Sequence, residues 1–252
     1  MVRKMVKPSK ELESAIRIIN QTMNYASVPY WLAFGGLYAL IKNNGVIPDG
    51  DFDLCTYYGQ DYRRIEKSFK GCPGRYIMTK ALVDDTRQDY ALYCSFSSEI
   101  GFPHICLSFW YPHNGIYYYC HDQHHEVTGV GFPKSGYHFR GVPGTFIENV
   151  PENFRMAEWP GVVQTAKIRV PRFPGIVLDN MYPDWAYKTQ RYEVRTGAPV
   201  NEEKLGSYHK GGAISPYALE IKSMADFNNA GLISKQLEKS RAAWSIRLKN
   251  GK

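Results

Sequence analysis

The chain has 252 residues, with 44% hydrophobic and 22% charged side chains and a formal net charge of +7. That length and composition suffice for a sizeable core, as one large domain or a domain with an elaborated C-terminal half, and exclude a disordered chain. The positive balance suits an anionic partner such as a nucleotide, a phosphorylated glycan or an acidic membrane surface, whereas the lack of any long single-sign run argues against a nucleic-acid-binding tail.

Helical spacing of Leu12, Ala15, Ile16, Ile19 and Met23 predicts a first helix in SKELESAIRIINQTMNYA, with Ser9 as its cap and Glu11 and Glu13 favourable at its positive end. VPYWLAFGG reads as a buried strand ending at Gly35–Gly36, and LYALIKNN as a short helix stopping at Gly45. FDLCTYY is a strand and DYRRIEKSFKGC a helix, followed by strands RYIMTKALV, DYALYCSF and HICLSFWY. Asn114–Gly115 is a hairpin turn leading into IYYYCH. Beyond Pro133 the chain is rich in Gly and Pro, with strand candidates FIEN and AKIRVP and helical patterns at IVLDNMYPDWAYK and from Met224 to Leu248. The fold class expected is α/β (α+β), a mixed sheet flanked by helices. The expected division is residues 1–192 as the main domain and residues 193–252 as a helical extension packed on it.

Cys55, Cys72, Cys94, Cys106 and Cys120 are odd in number and lack CxxC spacing, which points to a reducing compartment. No stretch approaches the ~18 apolar residues of a membrane span, and MVRKMVKPSK has no apolar leader core. A cytoplasmic location is the expectation.

The segment DGDFDL at 49–54 carries the chemistry. On a strand, Asp51 and Asp53 share a face with Phe52 opposite. Two carboxylates on one face repel unless a cation neutralises them, and hard oxygen ligands suit Mg²⁺ or Mn²⁺. Gly35 and Gly36 allow a phosphate to approach backbone N–H groups at a helix start, and Lys42 can meet it as a point charge. Metal-assisted phosphoryl or nucleotidyl transfer is the reaction class that needs such parts.

WLAFGGLYALIKNNGVIPDGDFDL resembles the signature of the LicD/fukutin family of nucleotidyltransferase-fold phosphotransferases. By position, Gly35 and Gly36 match the family's glycine turn, Lys42 its basic helix residue, and Asp51 and Asp53 its metal-binding pair. Asp49 fills part of a further acidic position, but the chain is one residue short after Pro48 and lacks the family's Trp there. HICLSFWYPHNG and IRVPRFPGIVLDNMYPDWAYKTQRY are similar to two later family segments, so the resemblance runs from about Trp31 to Tyr192. It implies transfer of a phospho-alcohol, such as phosphocholine or ribitol phosphate, from a CDP-linked donor to a glycan hydroxyl, with Mg²⁺ on Asp51 and Asp53. Transfer from a nucleoside triphosphate is the other enzymatic reading.

One departure stands out. The family places its third carboxylate where this chain has Cys106. A thiol is a poor Mg²⁺ ligand, so Asp89 substitutes for the missing acid, with Glu99 and Asp122 behind it, or the chain is a catalytically degenerate binding module. Cys106 is otherwise a small buried hydrophobe.

Other candidates are weaker in pattern. His121, His124 and His125 cluster in CHDQHHE without the spacing of a standard zinc motif. Arg169, Arg172 and Arg191 can grip phosphate or the donor base, against the more common role of solvated surface arginines. Tyr182 and Trp185 pack the closing helix. The basic residues Lys235, Lys239, Arg241, Arg247, Lys249 and Lys252 make a solvated face, or one for peripheral contact with an anionic membrane.

Overall fold

A computed structural model describes residues 6–47, 51–57, 59–72, 76–82, 91–98, 103–120, 137–143, 154–162, 166–181, 219–221, 226 and 229–249. Helix α1 spans Lys10–Ala26, with the Ser9 hydroxyl accepting from the Leu12 N–H at 3.2 Å. Its buried stripe is Leu12, Ala15, Ile16, Ile19, Met23 and Ala26, and it closes at Ser27 in the left-handed conformation (φ 53°). Helix α2 spans Phe34–Ile41 and strand β1 only Trp31–Leu32. Gly35 and Gly36 therefore lie in the first turn of α2, beyond the end of the strand in which their apolar context had placed them.

Strand β2 spans Asp51–Tyr57 and helix α3 Tyr62–Lys70, capped by Asp61, whose carboxylate accepts from the N–H groups of Arg63 and Arg64. Strands β3 (Tyr76–Leu82), β4 (Ala91–Ser98), β5 (His104–His113) and β6 (Ile116–Cys120) follow. The hairpin turn between β5 and β6 places Asn114 and Gly115 at φ 50° and 72°, the left-handed pair that Asn-Gly favours. Then come β7 (Tyr137–Pro143), β8 (Phe154–Glu158), β9 (Lys167–Pro171), α4 (Pro174–Met181), β10 (Leu219–Ile221) and α5 (Ala230–Lys249).

Eight strands form one mixed sheet in the order β1-β2-β5-β6-β7-β10, with β4 pairing on β5 and β3 on β4. Strand β5 is the hub. It runs parallel to β2 along Asp51↔His104 through Tyr57↔Trp110, and antiparallel to β4 along Ser97↔His104 through Tyr93↔Ser108. Its far end, Tyr111–His113, continues into the β6 hairpin. Strands β7 and β8 escaped the sequence pattern, because Gly141, Pro143 and alternating charge mask them. Strand β10 joins the sheet beside β7, which ties the C-terminal part of the chain to it.

One sheet face carries Phe52, Leu54, Phe96, Ile105 and Leu107, all fully buried. Helix α3 packs there, with Phe69 stacked on Phe96 at 4.3 Å and edge-on to Tyr76 at 5.3 Å. The β8–β9 hairpin closes the β1 side through Trp31–Phe154 and Phe52–Trp159 ring contacts. Trp159 also donates its indole N–H to the Gly45 carbonyl at 2.9 Å. Gly45 has φ 77°, and a Cβ there would lie 2.7 Å from both the Pro160 carbonyl oxygen and Trp159 Nε1, so only glycine lets the hairpin dock.

The FIEN candidate, Asp49, Asp89, Glu99, Tyr182, Trp185, Arg191 and the His121/His124/His125 cluster with Asp122 lie outside the described residues.

Burial pushes the Tyr76 phenol up to about 12, with Cys72 adding a smaller push in the same direction. An unfolded phenol titrates near 10, so the folded state binds more protons between those values. Stability is fully present below pH ~10 and falls as pH rises towards 12. Burial also raises Tyr30, Tyr38 and Tyr111, so Tyr76→Phe should remove only part of the alkaline slope, measured as urea midpoints across pH 9–12.

Candidate active site on strands β2 and β5

Register builds the site. Asp51 is opposite His104 and Asp53 opposite Cys106 on the parallel pair, while Ser97 is opposite His104 and Ser95 opposite Cys106 on the antiparallel side. Directly opposed residues project to the same side, so two aspartates, a histidine, a cysteine and two serines converge on one face of three adjacent strands. Asp51 and Cys106 are buried, at 6% and 3% exposure, and His104 is half-buried.

Asp53 has a structural duty. Helix α2 begins at Ala33, which has no side chain to cap it, and the Gly35 N–H donates to Asp53 Oδ2 at 3.1 Å instead. The Ala33 N–H donates to the Asp53 carbonyl at 2.9 Å. The strand carboxylate thus caps the helix, and the positive helix end favours its charge. Gly36 lies one residue further on, where a Cβ would come within 2.7 Å of Leu32 Cδ1 and 3.7 Å of the Asp53 backbone nitrogen. The glycine pair brings α2 down onto β1 and β2.

His104 is held at both ring nitrogens, by Ser95 Oγ at 3.0 Å (Nε2) and Ser97 Oγ at 2.9 Å (Nδ1). Ligand atoms of Asp51, His104 and Cys106 all lie within 4.8 Å of one another. Among the described residues this is the group of three such side chains close enough to share an ion. His104 was legible in HICLSFWY but carried no role there, because a lone histidine entering a strand has no pattern until β5 is laid beside β2. Two residues beyond Asp53 the Cys55 thiol is fully buried and pushed well up, first by burial and then by the Asp53 charge.

Beyond the polar cluster the same face becomes aromatic. Trp110 stacks on Tyr119 at 4.7 Å and meets Trp31 edge-on at 5.6 Å, and Phe34 of α2 meets Tyr119 edge-on at 5.0 Å. This wall lowers the local dielectric at one end of the site.

Of the residues expected here from the sequence, Gly35, Gly36, Asp51, Asp53 and Cys106 come together. Lys42 is the C-cap of α2 and exposed, seven residues from Gly35 and so roughly 10 Å along the helix axis at about 1.5 Å per residue. Arg169 lies over the Phe154 ring at 4.5 Å, lining a groove of about 650 Å³ between α1 and the β8–β9 hairpin with Arg17, Tyr30 and Lys167. Arg172 is exposed, 5.3 Å from the Phe173 ring centre. The groove is not lined by Asp51, Asp53, His104 or Cys106.

Residues 27–140 match the family model described as LicD/FKTN/FKRP, nucleotidyltransferase domain. The matched span takes in β1 to β6 and the start of β7 of this mixed sheet. Over that span the chain is similar to the LicD/FKTN/FKRP family. No curated protein matches the sequence. Two solved structures of the antibiotic-resistance factor ANT(2'')-Ia are similar at low identity. A solution structure shares 13% identity over 96% of this chain and 95% of that one, with a TM-score of 0.39. A crystal structure with adenylyl-2''-tobramycin shares 15% over 93% and 99%, with a TM-score of 0.34.

Asp53→Ala should lower stability by about 1–2 kcal/mol, since the Gly35 N–H loses its acceptor at an otherwise uncapped helix start. Asp53→Asn, whose amide oxygen can still accept, should retain most of it. Urea midpoints of the two variants check the difference.

Proposed function

We propose that this chain transfers a phospho-alcohol, of the phosphocholine or ribitol phosphate kind, from a CDP-linked donor to a hydroxyl on a glycan. The observation that supports this most is the placement of two strand carboxylates, Asp51 and Asp53, against a glycine-opened helix start. The family match over residues 27–140 supports the transferase class. In the reaction the acceptor oxygen attacks the phosphorus that bears the alcohol, the bond to the bridging oxygen breaks, and CMP leaves with the electron pair while the hydroxyl proton is lost.

A divalent cation, when bound at such a site, neutralises charge on the donor's phosphate oxygens. Asp51 would anchor it, with Asp53 the second carboxylate on the same face. Gly35 and Gly36 leave the start of α2 without side chains, so the donor's phosphates can approach backbone N–H groups. Lys42, Arg169 and Arg172 would serve the donor only from further out, by long-range attraction. The excess of basic residues favours the same anionic donor and a phosphorylated acceptor. On α5, the exposed Lys235, Lys239 and Arg241 would provide a peripheral contact with an anionic membrane. Among the described residues no helix is long and apolar enough to cross a membrane.

A second reading rests on Cys106. A buried thiol in register with Asp53, where the resemblance calls for a carboxylate, suits a member that binds nucleotide without turning it over. Asp89 remains the proposed replacement acid.

Calorimetry with CDP, CTP and ATP in the presence of divalent cation separates the readings, together with CMP release from CDP-choline and CDP-ribitol. The proposal expects CDP to bind and Asp51→Asn to weaken it at least about tenfold, the scale of one lost charged contact. Preference for a triphosphate favours nucleotidyl transfer, binding without CMP release favours the degenerate member, and no nucleotide binding contradicts all three.

A further inference from the structure

The donors gathered at Asp51 differ from those an oxygen-seeking ion selects. Asp51, His104 and Cys106 offer one carboxylate oxygen, one imidazole nitrogen and one sulfur within 4.8 Å of one another. Mg²⁺ demands near-octahedral oxygen ligands at about 2.0–2.1 Å and gives up its waters reluctantly. Imidazole and thiolate belong to the chemistry of zinc and its first-row neighbours.

We propose that Asp51, His104 and Cys106 form a three-ligand transition-metal site that takes Zn²⁺, or a neighbouring first-row ion, in preference to Mg²⁺, with the fourth coordination position open. The backbone explains why three such donors meet. Asp51 and His104 are opposed in the β2–β5 ladder, and Cys106 follows His104 by two residues on the same face. A tetrahedral zinc with bonds of about 2.0–2.3 Å sets its ligand atoms roughly 3.3–3.7 Å apart. The widest pair has to close by at most roughly 1–1.5 Å, within reach of side-chain torsion adjustment.

His104 has the support that a ligating imidazole requires. A metal-bound histidine donates its second ring nitrogen to an outer partner that fixes its tautomer and tilt. With Ser95 at one nitrogen and Ser97 at the other, whichever nitrogen takes the ion leaves its opposite number held. A buried thiol alone is ordinary core packing. A thiol, an imidazole and a carboxylate that converge from paired strands are a ligand set. Three protein donors with one position left over are the arrangement of catalytic rather than structural zinc sites. This preference stands apart from the choice of donor and acceptor proposed above.

The full chain, stripped of metal by a chelator and kept reduced, is titrated with Co²⁺ and then challenged with Zn²⁺ or millimolar Mg²⁺. The site predicts a near-ultraviolet thiolate-to-cobalt charge-transfer band and intense tetrahedral visible bands, abolished by Zn²⁺ and untouched by Mg²⁺. Cys106→Ser should lose the charge-transfer band and weaken Zn²⁺ binding on the order of 100-fold or more. Cys106→Asp should narrow the Zn²⁺-over-Mg²⁺ preference, and circular dichroism shows whether each variant keeps its fold. Replacing His121, His124 and His125 together by Asn should leave the band in place. A cobalt complex without thiolate absorption, displacement by Mg²⁺, or a band that follows His121/His124/His125 rather than Cys106 overturns the proposal. Because none of these readouts uses nucleotide, failure to bind CDP leaves the metal result intact, and the reverse holds too.

Discussion

The parallel pairing of β2 with β5 is the constraint on which the rest of the molecule depends. Because side chains alternate with a period of two, a slip of β2 by one residue against β5 would carry Asp51 and Asp53 into the core and expose Phe52 and Leu54. The apolar set makes that slip expensive. At about 25 cal/mol per Å² of apolar surface, exposing two such side chains costs several kcal/mol. Packing of the α3 face thus holds the polar face in register, and the site is positioned by residues that take no part in it. That division of labour is typical of sites whose geometry is set by rigid strands.

The glycine-bearing helix is the second support. Asp53 does two things at once, facing the site and capping α2, so helix and carboxylate are placed by one hydrogen bond. The close approach at Gly36 seats that helix against Leu32, and Gly45 at its far end admits Trp159 of the β8–β9 hairpin. The aromatic wall of Trp31, Trp110, Tyr119 and Phe34 closes the other end of the face. Polar chemistry is thereby confined to the ends of β2, β4 and β5, where a charged ligand meets fixed dipoles and a low-dielectric border.

Much of this was legible in the sequence. Helical periodicity with Ser9 as cap yields α1, the DYRRIEKSFKGC pattern yields α3, and alternation marks β2 through β6. The pairing of carboxylates in DFD and the neighbouring double glycine mark the site by residue type and spacing alone. What could not be read is lateral. Gly35 and Gly36 look like a strand end because their flanks are apolar, yet they start a helix that Asp53 caps from eighteen residues away. Likewise His104 has no local signature, and its role appears only when β5 lies beside β2 and β4 brings Ser95 and Ser97 to it. Arg169, which the sequence allows as a phosphate contact, is instead occupied with the Phe154 ring in a separate basic groove.

The direct measurement of the central claim is anomalous diffraction at the zinc absorption edge from crystals of the full chain grown with Zn²⁺. The account predicts a peak between Asp51, His104 and Cys106, at about 2.0–2.3 Å from an oxygen, a nitrogen and a sulfur. A peak held elsewhere in the chain, or a cation bound by Asp51 and Asp53 with Cys106 and His104 turned away, would contradict it.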